Sequence, residues 1–272
     1  MYEPRPWPVA VVSRLDGPAG APAVVLGNSL GTSAAVWAAQ VPALRKSFRL
    51  LSFELPGHGG APDWPGPYTL SQLGAGLLAM LDSHGIERAA YCGISLGGML
   101  GMWLAANAPE RIAALGLVCT SAYLPSPDGW HARAAQVRAA GLESVSAQVL
   151  ARWFTPAYVQ KEPHVALEFL AGIEQTSPEG YAGCCEAIAA MDLRADLAAI
   201  TAPTLVIAGA ADPATPPEHG ADIAGRISGA RLAVVPDAAH LAAVSAPDVV
   251  TSALLEHLDA AARADRTWRH ER

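Results

Sequence analysis

The stretch Ala89-Ala90-Tyr91-Cys92-Gly93-Ile94-Ser95-Leu96-Gly97-Gly98-Met99 decides how the rest of the chain is read. Ala89 to Gly93 is a short apolar run of strand type, and Leu96 to Asn107 carries a helical pattern. The five letters G-x-S-x-G recur by chance, so their weight comes from context: a strand before, a helix after, glycine on both sides. That is the setting of a nucleophile elbow, a tight strand-to-helix turn with strained backbone angles. A side chain at either glycine would collide with the neighbouring strand and helix. The turn would project Ser95 Oγ from the sheet edge, with the helix N-terminus beneath it. The plainer alternative is a tight turn carrying an incidental serine. No residue from Ala89 to Pro109 is charged, a length able to span a bilayer. Gly93, Gly97, Gly98, Gly101 and Ser95 inside it favour a buried strand-turn-helix, so no membrane partner is expected.

Outward from the elbow, short apolar runs alternate with helical patterns. Val9 to Ser13, Ala23 to Gly27, Phe48 to Phe53, Leu115 to Cys119, Thr204 to Ala208 and Leu232 to Val235 read as further strands. Most are apolar throughout, as suits strands of a parallel sheet covered on both faces. Ser33 to Leu44, Leu70 to Ser83 and Pro247 to Ala261 read as helices, so the class is α/β with a mostly parallel central sheet flanked by helices. From Tyr123 to Arg194 the rhythm breaks: helical patterns run between Pro125, Pro127, Pro156, Pro163 and Pro178 with no good strand. The division expected is a core of residues 1–122 and 195–262, a helical lid of residues 123–194 over the sheet's C-terminal edge, and a charged, frayed tail of residues 263–272.

Serine at its free pKa is a weak nucleophile and needs a general base. For an elbow serine the acid and then the histidine follow in the chain. Asp212 follows the strand-like Pro203 to Gly209, and His240 follows Leu232 to Pro236 after Asp237-Ala-Ala. Both stand in loops just after strands, where α/β sites collect. Asp212 would hold His240 in the productive tautomer, and His240 would take the Ser95 proton. Asp128 and Asp237 are weaker acids for the role, the latter suiting a turn. His58, in Pro-Gly-His-Gly, suits a turn better than catalysis, and His84 and His257 read as surface residues of helices. An oxyanion hole would use the backbone N–H of Leu96 and a second donor from Asn28-Ser29-Leu30-Gly31, with Leu30 N–H first and the Ser29 hydroxyl as another route. Such donors each contribute ~2.7–4 kcal/mol to a transition state.

Composition narrows the partners. The 272 residues are 51% hydrophobic and 16% charged, the reverse of a disordered chain. A chain this long buries roughly 75% of its unfolded surface and needs no disulfide or metal staple. Lys and Arg number 18 against 25 Asp and Glu, a net charge of -7 with no basic tract, so nucleic acid is not an expected partner. Cys92, Cys119, Cys184 and Cys185 form no C-x-x-C pair and suit buried thiols in a reducing compartment. The N-terminal MYEPRPWPVA shows no signal peptide pattern, so a cytoplasmic location is expected. No ligand spacing suggests a metal or organic cofactor. Oligomeric state is left open.

With these residues placed, the chain resembles the α/β-hydrolases, and within them the 3-oxoadipate enol-lactonases, from about Val24 to Leu258. Gly57-His58-Gly59, the elbow, Asp212 and His240 are general to the superfamily. Asn28 to Thr32 with Trp37, Cys92 to Met99, Arg152-Trp153-Phe154-Thr155-Pro156, Pro178 to Tyr181 with Cys184-Cys185, Met191 to Arg194, and Ala211 to Pro217 match the lactonases. The lactonases commonly read Asp-x-Arg before Gly-His-Gly, where this chain has Glu54-Leu55-Pro56. The resemblance implies a carboxylic ester hydrolase that opens 3-oxoadipate enol-lactone to 3-oxoadipate, a step in aromatic catabolism, without a cofactor. That substrate is an anion, so a local cation must meet it. Trp130 and Arg133 lie at i and i+3 on one helix face, and in the lactonases this Trp and Arg are associated with substrate binding. Arg138 and Arg152 stand in reserve. The alternatives are another carboxylesterase or lactonase, a cofactor-free haloperoxidase-like enzyme, or a catalytically dead binding module. Dehalogenase chemistry is disfavoured because it uses an aspartate where Ser95 stands.

Overall fold

A computed structural model describes residues 12–268. Seven strands form one sheet: β1 (Ser13–Asp16), β2 (Ala23–Gly27), β3 (Arg49–Phe53), β4 (Ala89–Ile94), β5 (Ile112–Val118), β6 (Thr204–Gly209) and β7 (Arg231–Val235), in the order β1-β3-β2-β4-β5-β6-β7. Only β1 runs antiparallel, pairing Ser13 with Phe53 and Asp16 with Leu50. It lies later in the chain than the run expected at Val9 to Ser13, of which residues 9–11 are outside the described residues. As a half-exposed edge strand, with the polar sequence SRLD, it offers no apolar run to read. The inner strands β2, β4, β5 and β6 are buried along their whole lengths, which is why their sequences are apolar rather than alternating.

Helices cover both faces. Leu115 of β5 points toward Gly101 of α3 (Leu96–Asn107), and the next residue, Gly116, lies against Leu254 of α11 (Pro247–Ala264). Successive side chains of a strand alternate, so α3 and α11 sit on opposite faces. Between β3 and β4 lies α2 (Leu70–Ser83), opened by a capping box in which Thr69 Oγ1 accepts from Gln72 N–H at 3.1 Å and Gln72 Oε1 accepts from Thr69 N–H at 2.9 Å. The helix expected from Ser33 to Leu44 is instead a 3-10 turn (Ala34–Trp37) and a single turn, α1 (Val41–Leu44). Pro42 is the reason: it has no N–H to continue a helix from the preceding turn.

Between β5 and β6 come α4 (Pro127–Ala140), α5 (Ser146–Trp153), α6 (Pro156–Lys161), α7 (Pro163–Glu174) and α8 (Pro178–Ala189). Four of these five helices begin on a proline, whose missing N–H costs nothing in a first turn. The two ends of the insertion meet: Tyr123 bridges Asp192, and Leu193 N–H donates to the Ala122 carbonyl at 2.8 Å. Arg138 of α4 clasps Glu179 and Glu186 of α8 at 2.8 and 2.5 Å, tying these two helices together. After β6 come α9 (Pro217–Arg226), β7, α10 (Ala242–Ser245) and α11.

The frayed tail expected from residue 263 is corrected over its described part. Helix α11 runs to Ala264, and Trp268 is buried, its Nε1 donating to the Ala23 carbonyl at 3.0 Å and its ring stacked on Phe48. Arg88 pairs with Asp265 at 2.5 Å. One buried tryptophan outweighs the charge of the segment. His257, expected at the surface, is also buried, with Nε2 3.1 Å from the Leu115 carbonyl, because α11 lies flat on β5. Among the described residues no helix is long and apolar enough to cross a membrane.

Candidate active site

Ser95 stands between β4 and α3 with φ 54° and ψ −117°, a conformation that side chains rarely adopt. The flanking glycines are sterically required. A Cβ on Gly93 would lie 2.3 Å from the Gly97 backbone, and one on Gly97 would lie 2.5 Å from the Gly27 backbone. Three hydrogen bonds hold the turn in place: Ser95 N–H to the Val118 carbonyl at 3.0 Å, Thr120 Oγ1 to the Ser95 carbonyl at 2.6 Å, and Gly97 N–H to the Asn28 carbonyl at 3.0 Å. The last ties the elbow to the loop after β2.

That loop is the expected second wall of an oxyanion hole. Thr32 N–H and Oγ1 both donate to the Ser29 carbonyl, at 3.1 and 2.9 Å, closing a turn around Leu30. Asn28 Nδ2 donates to the Phe53 carbonyl at 2.7 Å and reaches Glu54 Oε2 at 3.3 Å. The Glu54 carboxyl in turn accepts from Ala34 N–H at 3.0 and 3.1 Å. Burial raises the Glu54 pKa against the bond from Ala34. So the Glu that departs from the lactonase pattern braces the loop carrying Ser29 and Leu30. Leu96 is the first residue of α3, where a backbone N–H has no partner within the helix.

Behind the serine, His240 Nδ1 lies 2.8 Å from Asp212 Oδ2. A carboxylate only accepts, so Nδ1 carries a proton, and in the neutral imidazole this leaves the lone pair on Nε2. Asp212 is further held by Ala214 N–H (2.8 Å) and Thr215 N–H (3.0 Å) on Oδ1, and by Thr215 Oγ1 (2.8 Å) on Oδ2. Burial works to raise this carboxyl, but the facing His240 and the bonds from His240 and Thr215 outweigh it and hold it below the usual range. The Thr215 hydroxyl is also 3.3 Å from His240 Nδ1, so it touches both partners. In the sequence Thr215 is one letter of the Ala211 to Pro217 motif, with nothing to mark a role.

Ser95, His240, Leu30, Ser29, Trp130 and Arg133 all line one cavity, with about 520 Å³ of empty space, its open mouth included. Asp212 lies behind it. The lid supplies most of the outer wall, including Trp153 and Tyr181. Arg133 places its guanidinium 5.0 Å from the Trp130 ring centre, a cation–π stack that fixes its direction. Of the reserve arginines, Arg152 also lines the cavity, whereas Arg138 is occupied by its two glutamates. Among the described residues no Asp or Glu lines it. His58 is wholly buried, with Nδ1 2.7 Å from the Pro56 carbonyl and Nε2 unpartnered; burial lowers its pKa to about 4, so it is a neutral turn residue. Asp237 is exposed with φ 57°, also in a turn.

This geometry can attack a carbonyl with a serine hydroxyl, move its proton through an oriented imidazole, and receive an anion beside it. Comparison with known proteins points the same way. The chain is 37% identical to 3-oxoadipate enol-lactonase 2 of Acinetobacter baylyi over 238 residues, covering 88% of this chain and 89% of that one. The enol-lactonase from Burkholderia xenovorans superposes with a TM-score of 0.89 at 40% identity, over 92% of this chain and 96% of that chain. A hydrolase from Pseudomonas aeruginosa gives 0.88 at 44% identity, over 90% and 93%. The family model of the alpha/beta hydrolase fold matches residues 22–247, the span that holds the whole sheet from β2 onward together with Ser95, Asp212 and His240, and the chain belongs to that family.

Proposed function

We propose that this chain is a serine hydrolase that opens 3-oxoadipate enol-lactone to 3-oxoadipate through an acyl-enzyme, acting on one small anionic substrate. Among the described residues the core is 12–122 and 195–268, and the lid of residues 123–194 closes the site. Ser95 Oγ attacks the lactone carbonyl while His240 Nε2 takes its proton, with Asp212 steadying the imidazolium. The tetrahedral oxyanion is met by the N–H groups of Leu96 and Leu30. The ring C–O bond breaks and the oxygen departs as an enolate, which accepts a proton and tautomerises to the ketone. His240 then activates water, the acyl–Oγ bond breaks, and Ser95 regains its proton.

The observation that carries the substrate assignment is Arg133, stacked on Trp130 inside the cavity of Ser95 and His240. An acidic protein of net charge -7 repels anions at long range, so a cation aimed into the site supports a carboxylate-bearing substrate. The enol-lactonase relatives support the same reading. Four buried free cysteines support a reducing, cytoplasmic setting. The test compares two substrates. Arg133→Ala raises KM for the enol-lactone about tenfold or more, as expected for a lost charge-assisted contact, and spares a neutral p-nitrophenyl ester. Equal losses on both would remove Arg133 from substrate recognition and favour a general carboxylesterase.

A further inference from the structure

Two arginines line the cavity, where the proposed substrate offers one carboxylate. Arg133 and Arg152 both line it, and among the described residues neither forms an ion pair with Asp or Glu. Arg138, five residues along α4 from Arg133, shows the ordinary solution, clasped by two glutamates. The buried Tyr181 hydroxyl accepts a hydrogen bond from Arg133 and is an electrostatic neighbour of Arg152, so the contacts of Arg133 within the protein are with neutral groups. Burial first, and the charge of Arg133 second, lower the Arg152 pKa, the sign of two like charges kept close. The backbone carrying Arg152 is tied to the segment carrying His240: the His240 backbone N–H donates to the Arg152 carbonyl at 3.4 Å, and Leu241 N–H to the Trp153 carbonyl at 3.0 Å.

Two cations lining one cavity without a carboxylate partner are unfavourable in the empty enzyme and are relieved by a ligand carrying two negative charges. The proposed reaction makes such a ligand. Water adds to the acyl carbon, the bond to Ser95 Oγ breaks, Ser95 recovers its proton from His240, and the released carboxylic acid loses a proton to solvent. A monoanion enters and a dianion leaves.

Resting on that reading of the reaction, we propose that Arg133 and Arg152 form a dicarboxylate site, Arg133 holding the carboxylate common to substrate and product and Arg152 the carboxylate newly released from Ser95. The enzyme therefore binds short dicarboxylates, its product among them, more tightly than matched monocarboxylates, and they inhibit it competitively.

Calorimetric titration tests this without turnover. Adipate and its monomethyl ester differ by one charge at nearly constant length. The wild-type protein binds adipate about tenfold more tightly, the scale of one added charge-assisted contact, and the preference shrinks as salt is raised. Arg152→Ala removes the preference and changes monoester affinity less than about twofold, while Arg133→Ala weakens both ligands. Arg152→Lys, which keeps the charge, retains part of the preference and guards against a folding defect in the alanine variant. Equal wild-type affinities, binding of neither ligand, or equal weakening of both by Arg152→Ala would overturn the proposal; the last would put both arginines on one carboxylate. Dicarboxylate preference without lactone hydrolysis would count against the proposed reaction alone. Hydrolysis without the preference would count against the paired-arginine site alone.

Discussion

Asp212 is the most heavily bonded side chain of the site, and Thr215 supplies two of its contacts, from N–H and from Oγ1. The hydroxyl bonds the same carboxylate oxygen that orients His240. Thr215→Val removes that bond while keeping shape, so kcat falls about tenfold, the effect of roughly 1.4 kcal/mol, with KM little changed. Thr215→Ser restores most of the rate, which a purely packing role would not allow. Asp212→Asn leaves a neutral partner with a competing tautomer, and steady-state kinetics should show kcat down by about 10⁴. The positions of Ser95, Asp212 and His240 stand out in the sequence because each follows an apolar strand in an order that suits the elbow, and the structure places Asp212 against His240 and lines one cavity with His240 and Ser95. Thr215 does not stand out, because a hydroxyl three residues past an acid gains meaning only once the turn brings it back onto the carboxylate. The roles of the lid arginines were legible only in part. Spacing pairs Arg133 with Trp130, but nothing in the letters separates Arg138, consumed by Glu179 and Glu186, from Arg152, which faces the cavity.

The strand-turn-helix around Ser95 is a close approach of three backbones. Gly93→Ala would place a methyl 2.3 Å from the Gly97 backbone, which cannot yield as a flexible side chain would. The elbow must shift, at a cost of about 1–3 kcal/mol for an overpacked site, so thermal unfolding should show a lower Tm together with loss of the serine's geometry. An unchanged Tm and rate would mean that the turn has slack. At this scale the buried strands show as unbroken apolar runs because both faces are covered, although β5 begins at Ile112, three residues before the expected Leu115, since the apolar residues Ile112, Ala113 and Ala114 already belong to the sheet. The exposed edge strand β1 and the segment broken by Pro42 were misread because pairing and a missing N–H, rather than hydrophobicity, define them. The prolines of the lid were visible as punctuation; the structure makes four of them first residues of helices. The tail was misjudged because Trp268, a single residue amid charges, anchors it to β2 and Phe48.

Over the whole molecule, acid should loosen the fold. His58 is held near 4 against its ordinary 6.5, since protonation would bury an N–H with no acceptor. Between those values the unfolded chain binds more protons than the folded one, so stability is lost as pH falls from about 6.5 toward 4, by up to about 3 kcal/mol from this group. His257, also lowered by burial, acts in the same direction, and Glu54, raised by burial, opposes it. Urea unfolding at pH 7 and pH 4.5 should show this loss, and His58→Asn, which can still donate to the Pro56 carbonyl, should flatten it; an unflattened profile would place the acid sensitivity elsewhere. Net charge and fold together describe an acidic body whose lid carries cations to one cavity, above a strained serine. The most direct measurement generates 3-oxoadipate enol-lactone in situ and follows its ultraviolet absorbance with purified protein. The expected result is rapid decay that Ser95→Ala reduces by at least about a thousandfold. Decay indifferent to Ser95→Ala, or no decay alongside brisk p-nitrophenyl ester hydrolysis, would contradict it.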